Sequence, residues 1–316
     1  MMLKSTLLLS LLAIGLAGCS NSPAHGQQVE DFMIQSPAGY ELAGQIDWPE
    51  HHDGDVPVAI LVSGSGAQDR DADMMRGGYS AHRQWREILN NIGFAVVTFD
   101  ETGTGASGGD WSEMGLAEHR DNALAALNYA EAAVGAQPPN TYAFGHSEGS
   151  MIVSMMSAQD PSIDGIVHLA GPGVSAREAI EYQIEGIAQN DRQDGETHEE
   201  AKERLRNGFM ARMANVQSFQ DGFEIDPLEI ARRINAPALI LQGAADTQVL
   251  PEQAQALAQA TAGSGQTVEV YVYPDVNHLM VNDPTHSRDY RALEDLTLDD
   301  RVVTQVTEWL LAVEAR

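Results

Sequence analysis

Apolar residues along this chain fall into two rhythms. Six short strand-like runs lie at 58–62, 95–99, 141–144, 166–169, 238–241 and 268–272; the first is solidly apolar and the second reads as another buried strand, as expected of strands covered on both faces. Between them lie segments with helical spacing, at 80–92, 116–134, 150–158, 251–261 and 302–312. Two further strand-like runs, 29–35 and 40–47, flank Ser36-Pro37-Ala38-Gly39, which predicts a leading hairpin. Alternating strands and helices predict an α/β fold, with a mostly parallel sheet, helices on both faces and an antiparallel N-terminal edge. One stretch breaks the rhythm. Residues 174–234 carry helical pattern without a strand, and Arg192-Gln193-Asp194-Gly195 marks a turn within them. They read as a helical cap inserted into a core formed by 29–173 and 235–316. The alternative is a solvated helical hairpin with no role at the site.

The start of the chain belongs to another pattern. Lys4 precedes an apolar run from Leu7 to Leu16, shorter than the ~20 residues that span a bilayer. It reads as the core of a signal peptide over 1–18, followed by a tether over 19–28 rich in Asn, Ser, Pro, Gly and Gln. Leu16-Ala17-Gly18-Cys19 resembles the lipobox of bacterial lipoproteins, which implies cleavage before Cys19 and a lipid on its sulfur. The expected place is then the cell envelope, anchored to a membrane through that lipid. Ser20 in the following position points to the outer rather than the inner membrane, by resemblance to lipoprotein sorting rules. An ordinary secretory signal with a chance cysteine stays open. Cys19 is the only cysteine, which excludes an intramolecular disulfide and argues against a cysteine nucleophile.

With 46 Asp and Glu against 18 Lys and Arg, the net charge is −28, so nucleic acid is not an expected partner. Only Lys4 and Lys202 are lysines. Such a balance suits solubility in high salt, and compositional drift in an extracytoplasmic protein accounts for it equally well.

The chemistry begins at Gly145-His146-Ser147-Glu148-Gly149. G-x-S-x-G alone is a weak signal, but here a strand precedes it and an apolar helix follows, as a nucleophile elbow requires. A serine hydroxyl needs a base. Of the ten histidines, His278 follows a late strand. His146 lies inside the elbow and is expected to point away. His168 sits in an apolar strand and reads as a core residue. The base needs an acid, and Asp246 ends the run Leu241-Gln242-Gly243-Ala244-Ala245-Asp246, a strand and a glycine turn. Asp275 and Asp283 are rivals near His278 in sequence. Asp275 is expected to support a turn, and Asp283, beside Pro284, to lie in a surface loop. The order Ser147, Asp246, His278 differs from that of chymotrypsin and of subtilisin. For the oxyanion, one N–H is expected from Glu148 and another from Ser65 in Ser63-Gly64-Ser65-Gly66. No cofactor or metal is implied.

These residues, with Ala67-Gln68-Asp69-Arg70-Asp71 and Asn277-His278, resemble the bacterial α/β-hydrolase superfamily, in its esterase and serine aminopeptidase-like branch. The resemblance covers about residue 30 to the end. It implies an α/β-hydrolase fold and a cofactor-free serine hydrolase, a carboxylic ester hydrolase for small or short-chain acyl esters that works through an acyl-enzyme. A peptidase of the same fold and a non-catalytic surface binding module are the alternatives. The family commonly carries a basic pair after the residue matching Asp100; here Glu101 and Thr102 stand there. That change is expected to alter local ion pairing or substrate preference without touching the triad.

Overall fold

The computed structural model describes residues 28–50, 56–73, 79–135, 139–189, 191–287 and 290–315. The expected signal peptide, Cys19 and nearly all of the tether lie outside the described residues. Eight strands form one sheet: β1 Gln28–Gln35, β2 Glu41–Trp48, β3 Val58–Val62, β4 Ala95–Phe99, β5 Thr141–His146, β6 Gly165–Leu169, β7 Ala238–Gly243 and β8 Val268–Tyr273. Their order is β1-β2-β4-β3-β5-β6-β7-β8. The β1–β2 and β2–β4 pairs are antiparallel and the remaining pairs parallel. This is the mostly parallel α/β sheet with an antiparallel N-terminal edge that the alternation predicts, and it fits the α/β-hydrolase fold that the resemblance implies. The leading hairpin turns where expected, with Gly39 at φ 98° and its N–H donating to the Ser36 carbonyl at 2.9 Å.

Successive residues of a strand face opposite sides, so each solid run feeds two cores. Val58, Ile60 and Val62 face one side, where helices α2 (Leu116–Val134), α3 (Glu148–Gln159) and α8 (Pro251–Ala262) cover the sheet. Ala59 and Leu61 face the other, against α1 (Ala81–Asn91) and α9 (Asp300–Glu314), where Trp85, Leu89 and Trp309 pack. Burial on both faces is the physical reason that β3 to β7 show no polar alternation.

Between β6 and β7 the chain runs through α4 (Ala176–Ala188), α5 (His198–Met213), α6 (Gln217–Glu224) and α7 (Pro227–Ala231). Ser175 and Glu178 form a capping box at the start of α4, and Thr197 with Glu200 does the same for α5. Such caps contribute roughly 1 kcal/mol each and fix where the helices begin. Ile180, Ile184, Val216 and Phe219 form a small apolar cluster of their own within α4–α6. Ile230 and Ala231 of α7, with Ile234, join the main core instead. The segment lying over the site is therefore α4–α6, with α7 part of the body beneath.

Candidate active site

Ser147 sits between β5 and α3 with φ 53° and ψ −121°, a backbone conformation that costs a non-glycine residue of order 1–3 kcal/mol. Its N–H donates to the Leu169 carbonyl at 2.9 Å, which holds the turn to β6. The turn is so close to β3 that a Cβ on Gly149 would lie 2.3 Å from the Val62 carbonyl oxygen. Only a glycine there lets α3 start against the sheet. The hydroxyl-bearing residue is thus raised at the carboxyl edge of the strands, where α/β sheets bind ligands.

β7 and the loop after β8 bring the other two residues to the same edge. His278 Nδ1 donates to Asp246 Oδ2 at 2.8 Å, and both side chains are almost fully buried. Asp246 is held from three more sides. Gln242 Nε2 donates to Oδ2 at 2.9 Å, and the Gln248 and Val249 N–H groups donate to Oδ1 at 2.7 and 3.0 Å. Burial alone would raise this carboxyl, but the facing His278 and these donors outweigh it and hold it below the usual carboxylate range. Asp246 therefore stays ionised and fixes the Nδ1–H tautomer of His278, leaving Nε2 for the cavity. The loop bearing His278 is itself locked, with Asn277 Oδ1 accepting from the Leu279 N–H at 3.0 Å.

The two rival carboxylates go elsewhere. Asp275 is half-exposed, with His286 Nε2 3.8 Å from its Oδ1. Asp283 differs from the surface position expected of it: it is fully buried, accepting from Thr285 Oγ1 at 2.7 Å and the Ser287 N–H at 2.9 Å. It closes its own loop, a task that leaves no trace in the spacing of apolar residues.

His146 also departs from expectation. Its ring lies 4.8 Å from that of His278, and its Nε2 donates to the His278 carbonyl at 2.7 Å. Burial, reinforced by His278, lowers its pKa to about 4, so it is a neutral donor to the loop that carries His278. Nothing in the sequence signals this, since the contact joins residues far apart in the chain. His168 is buried in β6 with Nδ1 2.5 Å from Ser150 Oγ.

Ser147 and His278 open onto a cavity of about 290 Å³. Its upper wall is apolar and comes from α4, α5 and α6, including Ile180, Phe209, Met213 and Phe219. Ser65 and Glu148 line it beside Ser147. Among the described residues, no turn or loop carbonyl accepts either of their backbone N–H groups. Among the described lining residues Glu148 is the only acid, and none is a lysine or arginine. Burial raises its carboxyl to about 7, the Ser65 hydroxyl draws it down and Asp221 pushes it up. The sequence offered this residue for its N–H; the side chain's place in the cavity was not foreseeable from spacing. Glu101 and Thr102, expected at the sheet edge, are both buried. Among the described residues no group of three or more His, Cys, Asp or Glu converges as a metal site needs, and no helix is long and apolar enough to cross a membrane.

With this geometry in view, three comparisons place the chain. Residues 80–299 match the family model described as the prolyl oligopeptidase family, Peptidase_S9. The esterase EstD of Thermotoga maritima is 26% identical over 277 residues, which cover 85% of this chain. The chain spans 65% of that relative's length, just under two thirds. Est1E from Butyrivibrio proteoclasticus, solved with ferulic acid bound, superposes with a TM-score of 0.59 at 19% identity, covering 90% of this chain and all of that one. The Pyrococcus furiosus esterase Pf2001 superposes with a TM-score of 0.66 at 18% identity, covering 91% of each chain. At such identities the structural likeness establishes the fold. The family match takes in well over half of the sequence, and the chain belongs to the prolyl oligopeptidase family, on an α/β-hydrolase fold.

Proposed function

We propose that this chain is a hydrolase that cleaves carboxylic esters of small or short-chain acyl groups through an acyl-enzyme on Ser147. The observation that carries the reading is the meeting of Ser147 and an Asp246-bonded His278 at an apolar cavity with no lysine or arginine among its described lining residues. Ser147 Oγ attacks the ester carbonyl while His278 Nε2 takes its proton, and Asp246 stabilises the imidazolium. The carbonyl oxygen, now negative, is met by the Ser65 and Glu148 N–H groups. Collapse expels the alcohol with the proton from His278. Water then adds to the acyl group by the same steps in reverse and frees the acid. The names of EstD, Est1E and Pf2001 as esterases support an ester substrate. The apolar wall of α4–α6 suits an acyl chain and keeps bulk water from the acyl-enzyme.

A peptidase is the second reading. The family match favours it, and Glu148, as an acid facing the cavity, offers a partner for a peptide ammonium. Steady-state rates on p-nitrophenyl acetate, butyrate and octanoate beside aminoacyl-nitroanilides separate the two. Faster turnover of the nitroanilides would overturn the ester reading. A fluorophosphonate probe should label wild type and leave Ser147→Ala unlabelled; an unlabelled wild type would favour a non-catalytic binding module. We further propose a lipid anchor at Cys19 that places the enzyme on the cell envelope, towards the outer membrane. Cys19→Ala should then move the protein from the membrane fraction to the soluble fraction. An unlipidated wild type by mass spectrometry ends that idea.

A further inference from the structure

The turn after β3, Ser63-Gly64-Ser65-Gly66, is pressed against the nucleophile from one side. A Cβ on Gly64 would lie 2.9 Å from Ser147 Cβ. Its other side rests on a buried polar cluster that the mechanism does not use. Glu101, 1% exposed, lies at the centre. Its Oε1 accepts from Ser63 Oγ at 2.6 Å and its Oε2 from the Gln68 N–H at 3.1 Å. Gln68 in turn grips the turn: its Nε2 donates to the Gly64 carbonyl at 3.0 Å and the Ser65 carbonyl at 3.4 Å. The Gln68 carbonyl is fixed from behind, accepting from the Glu101 N–H at 3.1 Å and Thr104 Oγ1 at 2.7 Å. Among the described residues, the polar holds on this turn from that side run through Glu101 and through Gln68, which Glu101 anchors.

We propose that Glu101 is a positioning residue for the oxyanion turn, holding the Ser65 N–H at Ser147 through its bonds to Ser63 and Gln68. The inference rests on the ester-hydrolase reading above and adds to it a residue outside the reacting groups. Its chemistry suits the task. Burial raises the Glu101 carboxyl to about 8, and the Ser63 and Gln68 donors only partly offset this. Glu148 and Asp69 push it further up. The shift favours the uncharged form and so lessens the negative charge behind a turn that must stabilise an oxyanion. His119, on α2, lies with Nε2 3.6 Å from Oε1 and is likewise held neutral, with burial lowering its pKa to about 4. At that distance His119 makes no hydrogen bond to the carboxyl, so the Ser63 and Gln68 bonds define the position of Glu101. A lysine or arginine at position 101 could accept neither bond, which gives the departure from the family's basic pair a physical consequence.

The test uses the whole protein with p-nitrophenyl butyrate and a trifluoromethyl ketone that mimics the tetrahedral intermediate. Glu101→Leu should lower kcat by about 10- to 100-fold, up to the bottom of the ~10²–10³ seen when an oxyanion donor is removed outright. KM should barely move, and the inhibition constant of the ketone should weaken by the same factor as kcat. Glu101→Gln, which keeps an acceptor for the Gln68 N–H and a partner for Ser63, should restore most of both. Should the leucine variant not fold, Ser63→Ala removes only one bond and should weaken kcat and ketone binding together by a few-fold. Unchanged kcat and ketone binding in a folded Glu101→Leu or Ser63→Ala variant would overturn the proposal. So would a loss confined to KM. Fluorophosphonate labelling of wild type keeps the two claims apart: without it the ester-hydrolase reading fails first, and with it an unaffected variant sinks this inference alone.

Discussion

The floor of the site and the helices above it are built on different principles. The floor hangs from β5, β7 and the loop after β8, and every residue of β7 is buried. Its key polar groups are buried and bonded, as with Asp246, which accepts four hydrogen bonds. Helix α5, by contrast, buries one residue, Ala201. Exposed ion pairs lace that part of the molecule, such as Arg206 with Glu181 at 2.6 Å and Lys202 with Glu185 at 2.9 Å. Surface pairs of this kind contribute about 0–1 kcal/mol each. A region with few buried apolar contacts opens locally at lower cost than the body it sits on. The proposed chemistry is thus placed on the more tightly held part, and the part proposed to meet the acyl chain is free to vary.

The sharpest way to break this comparison is at the floor. Asp246→Asn should keep the fold but misorient His278 or give it the wrong tautomer. The loss in kcat should approach ~10⁴-fold. Asp275→Asn should leave turnover near normal. Asp283→Asn should lower thermal stability through its loop, with little effect on kcat in the folded fraction. Near-normal turnover in folded Asp246→Asn would show that the wrong carboxylate has been chosen.

A smaller effect is expected one bond further out. His146→Phe fills a similar space but cannot donate to the His278 carbonyl. A hydrogen bond lost from a buried acceptor costs about 1–3 kcal/mol, so kcat should fall by roughly 10- to 100-fold if that energy holds the base in place. Burst kinetics with p-nitrophenyl acetate would locate the loss in acylation. An unchanged burst rate would make His146 a packing residue only.

The upper wall should respond in selectivity rather than in chemistry. Phe219 lines the cavity and packs at 5.2 Å from Phe209 and 4.5 Å from Phe223. Phe219→Ala should lengthen the cavity and shift the octanoate-to-acetate ratio of kcat/KM by about tenfold, the scale of one or two methylenes in an apolar pocket. The rate on acetate should stay within a few-fold. Amide exchange should also be faster in α4–α6 than in β5. An unaltered ratio in the folded variant would remove these helices from substrate selection.

The same contrast explains what was legible in the sequence. Strands buried on both faces must be solid apolar runs, so 58–62 and 95–99 match β3 and β4 to the residue. The elbow could be read because a strained serine between a strand and a helix needs close-packing glycines. Asp246 and His278 could be placed because each follows a strand, and parallel strands deliver their ends to one edge. The inward face of α4–α6 could not be read in detail, since amphipathic spacing does not say what a helix covers. Nor could the burial of Glu101 and Asp283, or the bond from His146. Polar groups buried against partners distant in sequence follow no period. The α3 helix starts at Glu148 rather than Ser150 because the strained serine is itself the cap, a feature set by backbone geometry.

The smallest effect tests the seam between the two regions. Glu148 belongs to the floor, and Asp221 belongs to α6, where its Oδ2 accepts the Leu116 N–H at 3.0 Å. Glu148 is raised to about 7 by burial, with Asp221 adding to the rise. An acid whose pKa is raised on folding binds more protons in the native state than in the unfolded one between the two values. Stability contributed there is present at low pH and falls as pH rises from about 4.5 to about 7. Deprotonation also sets two like charges against each other across the seam. Wild type should therefore lose thermal stability over that window, and Glu148→Gln, which cannot ionise, should lose less. Glu101, raised to about 8, titrates over an overlapping range, so the difference between the two profiles is the informative quantity. Amide exchange in α6 should rise with pH beyond the intrinsic chemical rate in wild type and not in the variant. Parallel profiles for the two proteins would mean that Glu148 does not govern how the upper helices sit on the floor.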